Sequence, residues 1–240
     1  MTTTAGALRE GKSKILFPTD DPRTLRQHFK DDATAFNGVK KGQIADKGEL
    51  NCQISARIFK MLESKGIKTH YKGLTGPRDM LVEKVTIIPL EVVIRNRVAG
   101  SLAKRFGIEE GRVLEQPLRE FFLKDDDLGD PLLTREHILA FGWADEPTMD
   151  YLFAEALRVN AIMVEFWTSL GIGLVDFKLE FGRDADGNIL LADEITPDGC
   201  RLWELGTERK MDKDRFRRDL GKVEETYAEV CNKVSAAISL

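Results

Sequence analysis

The chain has 240 residues, of which 42% are hydrophobic and 32% charged, an ordinary soluble balance that excludes collagen-like, rod-like and disordered classes and suffices for one large core or two joined ones. Its 36 Lys and Arg face 40 Asp and Glu, a net charge of −4, which argues against a dedicated nucleic-acid binder but leaves local basic clusters free to grip small anions. Cys52, Cys200 and Cys231 show no paired zinc or dithiol spacing, the opening MTTTAGALREGKSK has no apolar leader core, and the greasiest stretch is broken by Glu165, Asp176, Lys178 and Glu180. A cytoplasmic protein with no membrane span is expected.

In chain order, Lys14 to Phe17 reads as a strand between Gly11 and Pro18, with Lys12 and Lys14 facing the same way, and the stretch from Asp31 to Gly48 reads as loop. Ile54, Ile58, Met61 and Leu62 then recur at helical spacing before Gly66. Met80 to Val85 and Leu90 to Arg95 read as strands on either side of Pro89, followed by a polar middle that includes Lys104 to Gly111 and the Lys124-Asp125-Asp126-Asp127 run. The longest helix is predicted over Asp145 to Leu170, capped by Asp145 or Pro147 and stopped at Gly171, and a last helix lies in the tail after Asp212. Strands and helices mix without regular βαβ alternation, so the expected fold class is α+β, in two lobes of mostly antiparallel sheet with a cleft between them. The lobe boundary falls between Val85 and Leu90, giving 1–86 and 87–240.

The strongest signal is VDFKLEFG, Val175 to Gly182, where Asp176, Lys178 and Glu180 alternate with Phe177, Leu179 and Phe181. One face is core and the other charged. Asp186-Gly187 is a favoured two-residue turn, and a hairpin closed by Ala185 and Asn188 sets Glu180 opposite Asp193. Two opposed carboxylates beside Lys178 suit Mg²⁺, which takes one or two carboxylates plus substrate phosphates, although the same pattern also fits a solvated, salt-bridged face. The polar loop Thr196 to Arg201 that follows sits at a strand end, where functional groups concentrate.

Arg95-Asn96-Arg97-Val98-Ala99-Gly100-Ser101 ends an apolar strand where a helix begins, with guanidinium forks for phosphate or carboxylate. Lys213 to Arg218 reads as an exposed charged helix face. His28, His70 and His137 show no ligand or triad pattern, and no P-loop or dinucleotide fingerprint occurs.

LEVVIRNRVAGS (Leu90 to Ser101) and LVDFKLEFG (Leu174 to Gly182), with GKSKILF, FNGVKKGQIADKGELN, EFFLKDDDLGDP, DEITPDGCRLWE and MDKDRFRRDLG in order, resemble the signature segments of the phosphoribosylaminoimidazole-succinocarboxamide synthases. The resemblance spans essentially the whole chain. It implies a purine-biosynthesis ligase that uses ATP to join L-aspartate to the carboxylate of 4-carboxy-5-aminoimidazole ribonucleotide (CAIR), with Mg²⁺ as cofactor and a homo-oligomeric state.

Carried over by position, the resemblance implies that Lys12 and Lys14 contact ATP phosphates and that Leu81, Val82, Glu83 and Lys84 form the adenine-side hinge. It gives Glu180 and Asp193 the metal, Lys178, Lys124 and Asp176 the chemistry, and Arg95, Ser101, Asp198, Arg201, Lys213 and Arg217 the substrate side. Some family members carry an Asp where this chain has Asn37, so no carboxylate role transfers there. Two other readings remain: a phosphotransferase of the same architecture, which would release ADP without aspartate, and a silent nucleotide- or RNA-binding protein, against which the acidic balance and the set Lys178, Glu180 and Asp193 count.

Overall fold

A computed structural model describes residues 6–35 and 39–240; Asn37 lies outside them. In chain order the strands are β1 (Arg9–Glu10), β2 (Lys14–Pro18), β3 (Thr24–Phe29), β4 (Asp32–Ala35), β5 (Lys40–Gln43), β6 (Tyr71–Gly76), β7 (Asp79–Glu83) and β8 (Thr86–Arg97). They continue with β9 (Val113–Leu123), β10 (Leu132–Leu133), β11 (Ile172–Arg183), β12 (Ile189–Ala192) and β13 (Cys200–Glu204). The helices are α1 (Lys47–Ser64), α2 (Gly100–Phe106), α3 (Arg135–Ala140), α4 (Glu146–Ser169), α5 (Asp214–Arg217) and α6 (Val223–Ala237).

Two antiparallel sheets organise the chain, ordered β1-β2-β3-β7-β6 and β10-β9-β8-β11-β12, with β13 also paired to β11. This is the α+β architecture the sequence implies. The sheets touch through residues 68–70: His70 N–H donates to Leu191 C=O (2.9 Å), and Glu83 N–H donates to His70 C=O (2.6 Å). Backbone groups that would otherwise be buried unpaired therefore tie β12 to β7.

α4 forms because Asp145 caps it, accepting Thr148 N–H at 2.9 Å, and because Met149, Leu152, Ala156, Val159, Met163 and Trp167 fall on one face, all fully buried. That face packs beneath β11, whose Phe177, Leu179 and Phe181 point into the same core. Ile54, Ile58 and Leu62 of α1 join them, while Cys52 and Ala56 of the same helix pack with Phe29, Met80 and Val82 of the first sheet in a second, smaller cluster. Each of the larger of these side chains contributes about 1.5–3 kcal/mol by burial.

Five expectations need correction. The stretch from Asp31 to Gly48 contains the β4–β5 hairpin, and the polar middle contains the long strand β9, whose outer residues stay exposed and so carry no apolar signal. Pro89 does not separate two strands: it lies inside β8, where pairing with β11 shifts register between Glu180 and Gly182 and absorbs it. Lys12 lies in the turn before β2 and is not on a strand with Lys14. Finally, Glu180 pairs with Ala192, not Asp193. The hairpin closes at Arg183–Ile189 with Gly187 at φ 84°, so the connection takes five residues where two were expected, and the register slips by one. Asp193 instead follows the strand end in a left-handed conformation, φ 64°.

Candidate active site

A cleft of about 600 Å³ opens between the sheets, lined from one side by residues such as Lys14, Val82 and Glu83 and from the other by Glu91, Lys178 and Glu180. β11 supplies its floor. Because strand side chains alternate, packing Phe177, Leu179 and Phe181 on α4 forces Asp176, Lys178 and Glu180 up into the cleft. β8 does the same with Glu91, Val93 and Arg95, which are registered against Glu180, Lys178 and Asp176.

At one end lysines and carboxylates interleave. Lys178 Nζ lies 2.5 Å from Glu180 Oε1, 2.7 Å from Glu91 Oε1 and 3.6 Å from Asp193 Oδ2. Lys124 Nζ meets the same Glu180 oxygen at 2.6 Å, and Lys14 bridges to Asp193 and stands 3.3 Å from Glu194. Burial alone would lower the Lys178 pKa, but Glu180, Asp193 and Glu91 outweigh it and hold it well above the usual lysine range. Burial would raise that of Asp193, yet Lys14, Lys178 and Lys124 pull it far below the carboxylate range. Burial pushes Glu91 and Glu194 upward. Among the described residues Glu194 Oε2 is buried without a hydrogen bond.

Three lysines thus face four carboxylates, so this end holds surplus negative charge in spite of its cations. Glu180 and Asp193 converge on one ammonium, and two carboxylates with open coordination completed by phosphate oxygens suit Mg²⁺. No group of three metal-binding side chains occurs among the described residues, so the protein alone would provide an incomplete shell. The donor set fits a metal that arrives with a nucleotide.

At the other end arginines and carboxylates alternate in a chain from Arg105 through Glu120, Arg95, Asp176, Arg201 and Asp214 to Arg217. Arg95 donates to Glu120 (2.5 Å), Asp176 (2.7 Å) and Ser101 Oγ (3.1 Å) and is only 3% exposed. Three of its five N–H groups are so committed. Both Asp176 oxygens accept from Arg201 at 3.0 Å, so Asp176 orients two guanidiniums. The Arg201 guanidinium lies where a side chain on Gly100 would begin, and Gly100 has φ 53°; only glycine permits that approach.

A third cluster surrounds Asp198. Lys47 Nζ donates to Oδ2 (2.8 Å), Tyr227 Oη donates to Oδ1 (2.6 Å), and Lys213 Nζ stands 3.7 Å from Oδ2. Burial opposes ionisation, but Lys213 and Lys47 hold the Asp198 carboxyl far below its usual range.

Of the residues singled out from the sequence, Lys12, Lys14, Lys124, Lys178, Glu180, Asp193, Arg95, Ser101, Asp176, Asp198, Arg201, Lys213 and Arg217 all line this cleft, as do Val82 and Glu83. Leu81 and Lys84 do not: Leu81 alternates to the other face of β7, and Lys84 follows the strand's end. Lys213 to Arg218 is not an exposed helix face, because Asp212, Asp214 and Arg215 are buried. Sequence reasoning missed Glu91, which the alternation with Arg95 could have revealed, and Glu194, His70, Lys47, Glu120 and Tyr227. His70 lines the cleft with burial pushing its pKa down to about 4, hence as a neutral imidazole. Lys47 and Tyr227 sit on helices with no pattern to mark them.

Residues 7–234 match the SAICAR synthetase family. A phosphoribosylaminoimidazole-succinocarboxamide synthase from Magnetococcus marinus is 56% identical over 233 residues, 96% of each chain. The crystal structure of the synthase from Ehrlichia chaffeensis superposes with a TM-score of 0.93 at 47% identity, covering 96% of this chain and 98% of that one. A SAICAR synthetase in complex with ADP superposes at 0.92 with 46% identity, covering 97% and 99%. The chain therefore belongs to the SAICAR synthetase family.

Proposed function

We propose that the two ends of the cleft divide the family reaction between them, the lysine–carboxylate end handling ATP and the arginine end the ribonucleotide. The activity is ATP-dependent ligation of L-aspartate to the carboxylate of CAIR through an acyl phosphate, giving SAICAR, ADP and phosphate. Carboxylate is a poor acyl donor because its leaving group would be oxide. Its oxygen first takes the γ-phosphoryl group as ADP leaves; the aspartate amine then attacks the acyl carbon, phosphate departs and the amine loses a proton.

The observation that carries the division is the contrast in cations on one continuous floor: lysines around Glu180 and Asp193, arginines around Asp176. Glu180 and Asp193 would hold Mg²⁺, which when bound neutralises charge on the phosphates. Lys178 and Lys124, mobile point charges above Glu180, turn toward the transferring phosphoryl group, while Lys14 and Lys12 meet the remaining phosphates. Val82 and Glu83 border the base. Arg201 and Ser101, with the free N–H groups of Arg95, take the ribonucleotide 5′-phosphate, and Asp176 keeps both forks aimed. Lys213, Arg217 and Asp198 complete the substrate side. In this reading the arginine end is fixed by its carboxylates, which supports positioning of the ribonucleotide as one source of rate.

The lobes divide at 86/87 in this reading, one residue inside β8 and just after the first sheet's last strand, β7, ends at Glu83. A cytoplasmic location is supported by three buried free cysteines, and no helix among the described residues is long and apolar enough to cross a membrane. A homo-oligomer is supported by exposed apolar side chains such as Phe106 and Val113.

The test is ADP release with ATP, Mg²⁺ and CAIR, with and without L-aspartate, and the product identified by mass. Aspartate-dependent release of ADP with a succinocarboxamide product is expected; ADP formed without aspartate and without an amide would replace the ligase by a phosphotransferase.

A further inference from the structure

α1 carries a polar stripe through an otherwise apolar interior. Lys47, Asn51 and Ser55, four residues apart and therefore on one helix face, are all buried. The stripe meets the loop between β12 and β13: Ser55 Oγ accepts Ile195 N–H at 3.2 Å, and Lys47 Nζ donates to Asp198 at 2.8 Å. The Lys47 side chain is 1% exposed, and a buried ammonium is tolerated only where a partner compensates it.

The geometry around that partner is one-sided. Asp198 and Lys213 line the cleft, whereas Lys47 and Tyr227 do not. Lys47 and Tyr227 hold the two Asp198 oxygens from behind, at 2.8 and 2.6 Å, while Lys213 Nζ remains 3.7 Å away, outside hydrogen-bonding distance. The peptide N–H of Lys213 donates to Pro197 C=O (3.1 Å), fixing its backbone to the same loop. Asp198, the carboxylate paired with Lys213, thus has its charge shared with Lys47 behind the wall, and the Lys213 ammonium lines the cleft without a hydrogen bond to it.

We propose that Lys47 is a positioning residue that acts by charge balance: it neutralises Asp198 from behind the cleft wall, with Tyr227 fixing the second oxygen, and so keeps Lys213 free for an anionic group of the substrate. Without the Lys47 charge, Asp198 would draw Lys213 in and close that anion site. Burial lowers the Lys213 pKa and outweighs the opposing Asp198 charge, with Arg217 and Lys47 lowering it further and Glu194 opposing them. This inference rests on Lys213 belonging to the substrate side. The anion is a carboxylate or phosphate oxygen, and the two sources are the ribonucleotide and L-aspartate.

The experiment is a double-mutant cycle on KM for CAIR, L-aspartate and ATP, using K47M, D198N and K47M/D198N, with thermal melts alongside and K213M as the control. K47M should raise KM about 10-fold or more for one of the two anionic substrates, the one affected naming the source, with the ATP KM and kcat much less changed. K47R should restore most of the loss. In the D198N background the same K47M change should cost little, because no charge remains to balance. An equal penalty in both backgrounds, or a parallel rise in all three KM values, would overturn the proposal. If K47M alone does not fold, a folded K47M/D198N with the substrate affinity of D198N supports it, and failure of the double variant to fold overturns it. If K213M leaves every KM unchanged, the placement of Lys213 at the substrate fails, and the proposal falls with it.

Discussion

The two ends of the cleft share the floor strand β11 yet solve opposite electrostatic problems. At the arginine end the guanidiniums of Arg95 and Arg201 are each gripped by carboxylates on both sides, and Asp176 and Asp214 are almost wholly buried. At the lysine end the cations are flexible, single-point charges in contact with an excess of carboxylate, and Lys178 and Lys124 are about a third exposed. A planar fork held on two edges suits an anion that arrives in one pose, such as a sugar phosphate. A lysine that can leave one carboxylate for a passing phosphoryl group suits an anion that changes position and charge during turnover. One end is a fixed mould and the other an exchangeable charge store.

The sharpest way to break this comparison is to neutralise the store. E180Q or D193N should lower kcat on the order of 10³-fold or more with the fold retained, since Asn tolerates the left-handed backbone at 193. Near-normal kcat in both variants, with melts unchanged, would remove the metal assignment. K178M comes next. It should cost about 10²- to 10³-fold in kcat and leave the KM for ribonucleotide nearly unmoved, because the mould is intact; a steady-state series at saturating ATP reads both.

Damage to the mould should look different. R201K keeps the charge but loses the fork, so KM for the ribonucleotide should rise about 10-fold, about 1.4 kcal/mol, with ATP binding unaffected. Equal losses for both substrates would show that the ends are not separable.

A smaller effect, confined to stability, concerns Asp212, whose carboxyl burial pushes up to about 7, with Asp214 adding to the rise. A raised carboxyl pKa means that the folded state binds the extra proton. Its contribution is therefore full at low pH and is lost as pH rises from about 4 through 7. D212N should flatten the melting temperature against pH across that window relative to the unmodified chain; parallel curves would contradict it.

Much of this layout is written in β11 and β8, where period-two alternation alone says which side chains share a face. Leu90 to Arg95 and Val175 to Gly182 could be assigned because their apolar partners are plain. The charged face proved to be buried, because carboxylate and cation partners come from strands far apart in the chain, as Arg95, Asp176 and Arg201 do. The register at Asp193 was illegible because the connection runs over five residues, with Asp184 accepting from the backbone of Asp186 and Asn188, where Asp186-Gly187 alone suggests a two-residue turn. Lys47 and Tyr227 left no local trace at all: their significance is a single shared contact, Asp198, 151 and 29 residues away.

The close approach of Arg201 to Gly100 has a consequence that is genetic more than chemical. Every amino-acid replacement at a glycine codon adds at least one carbon where that guanidinium now lies. A missense change at position 100 therefore has to push the Arg201 guanidinium out of its pose, although a residue without a side chain would escape any survey of groups that touch substrate. The target that a random lesion must miss is wider than the site itself.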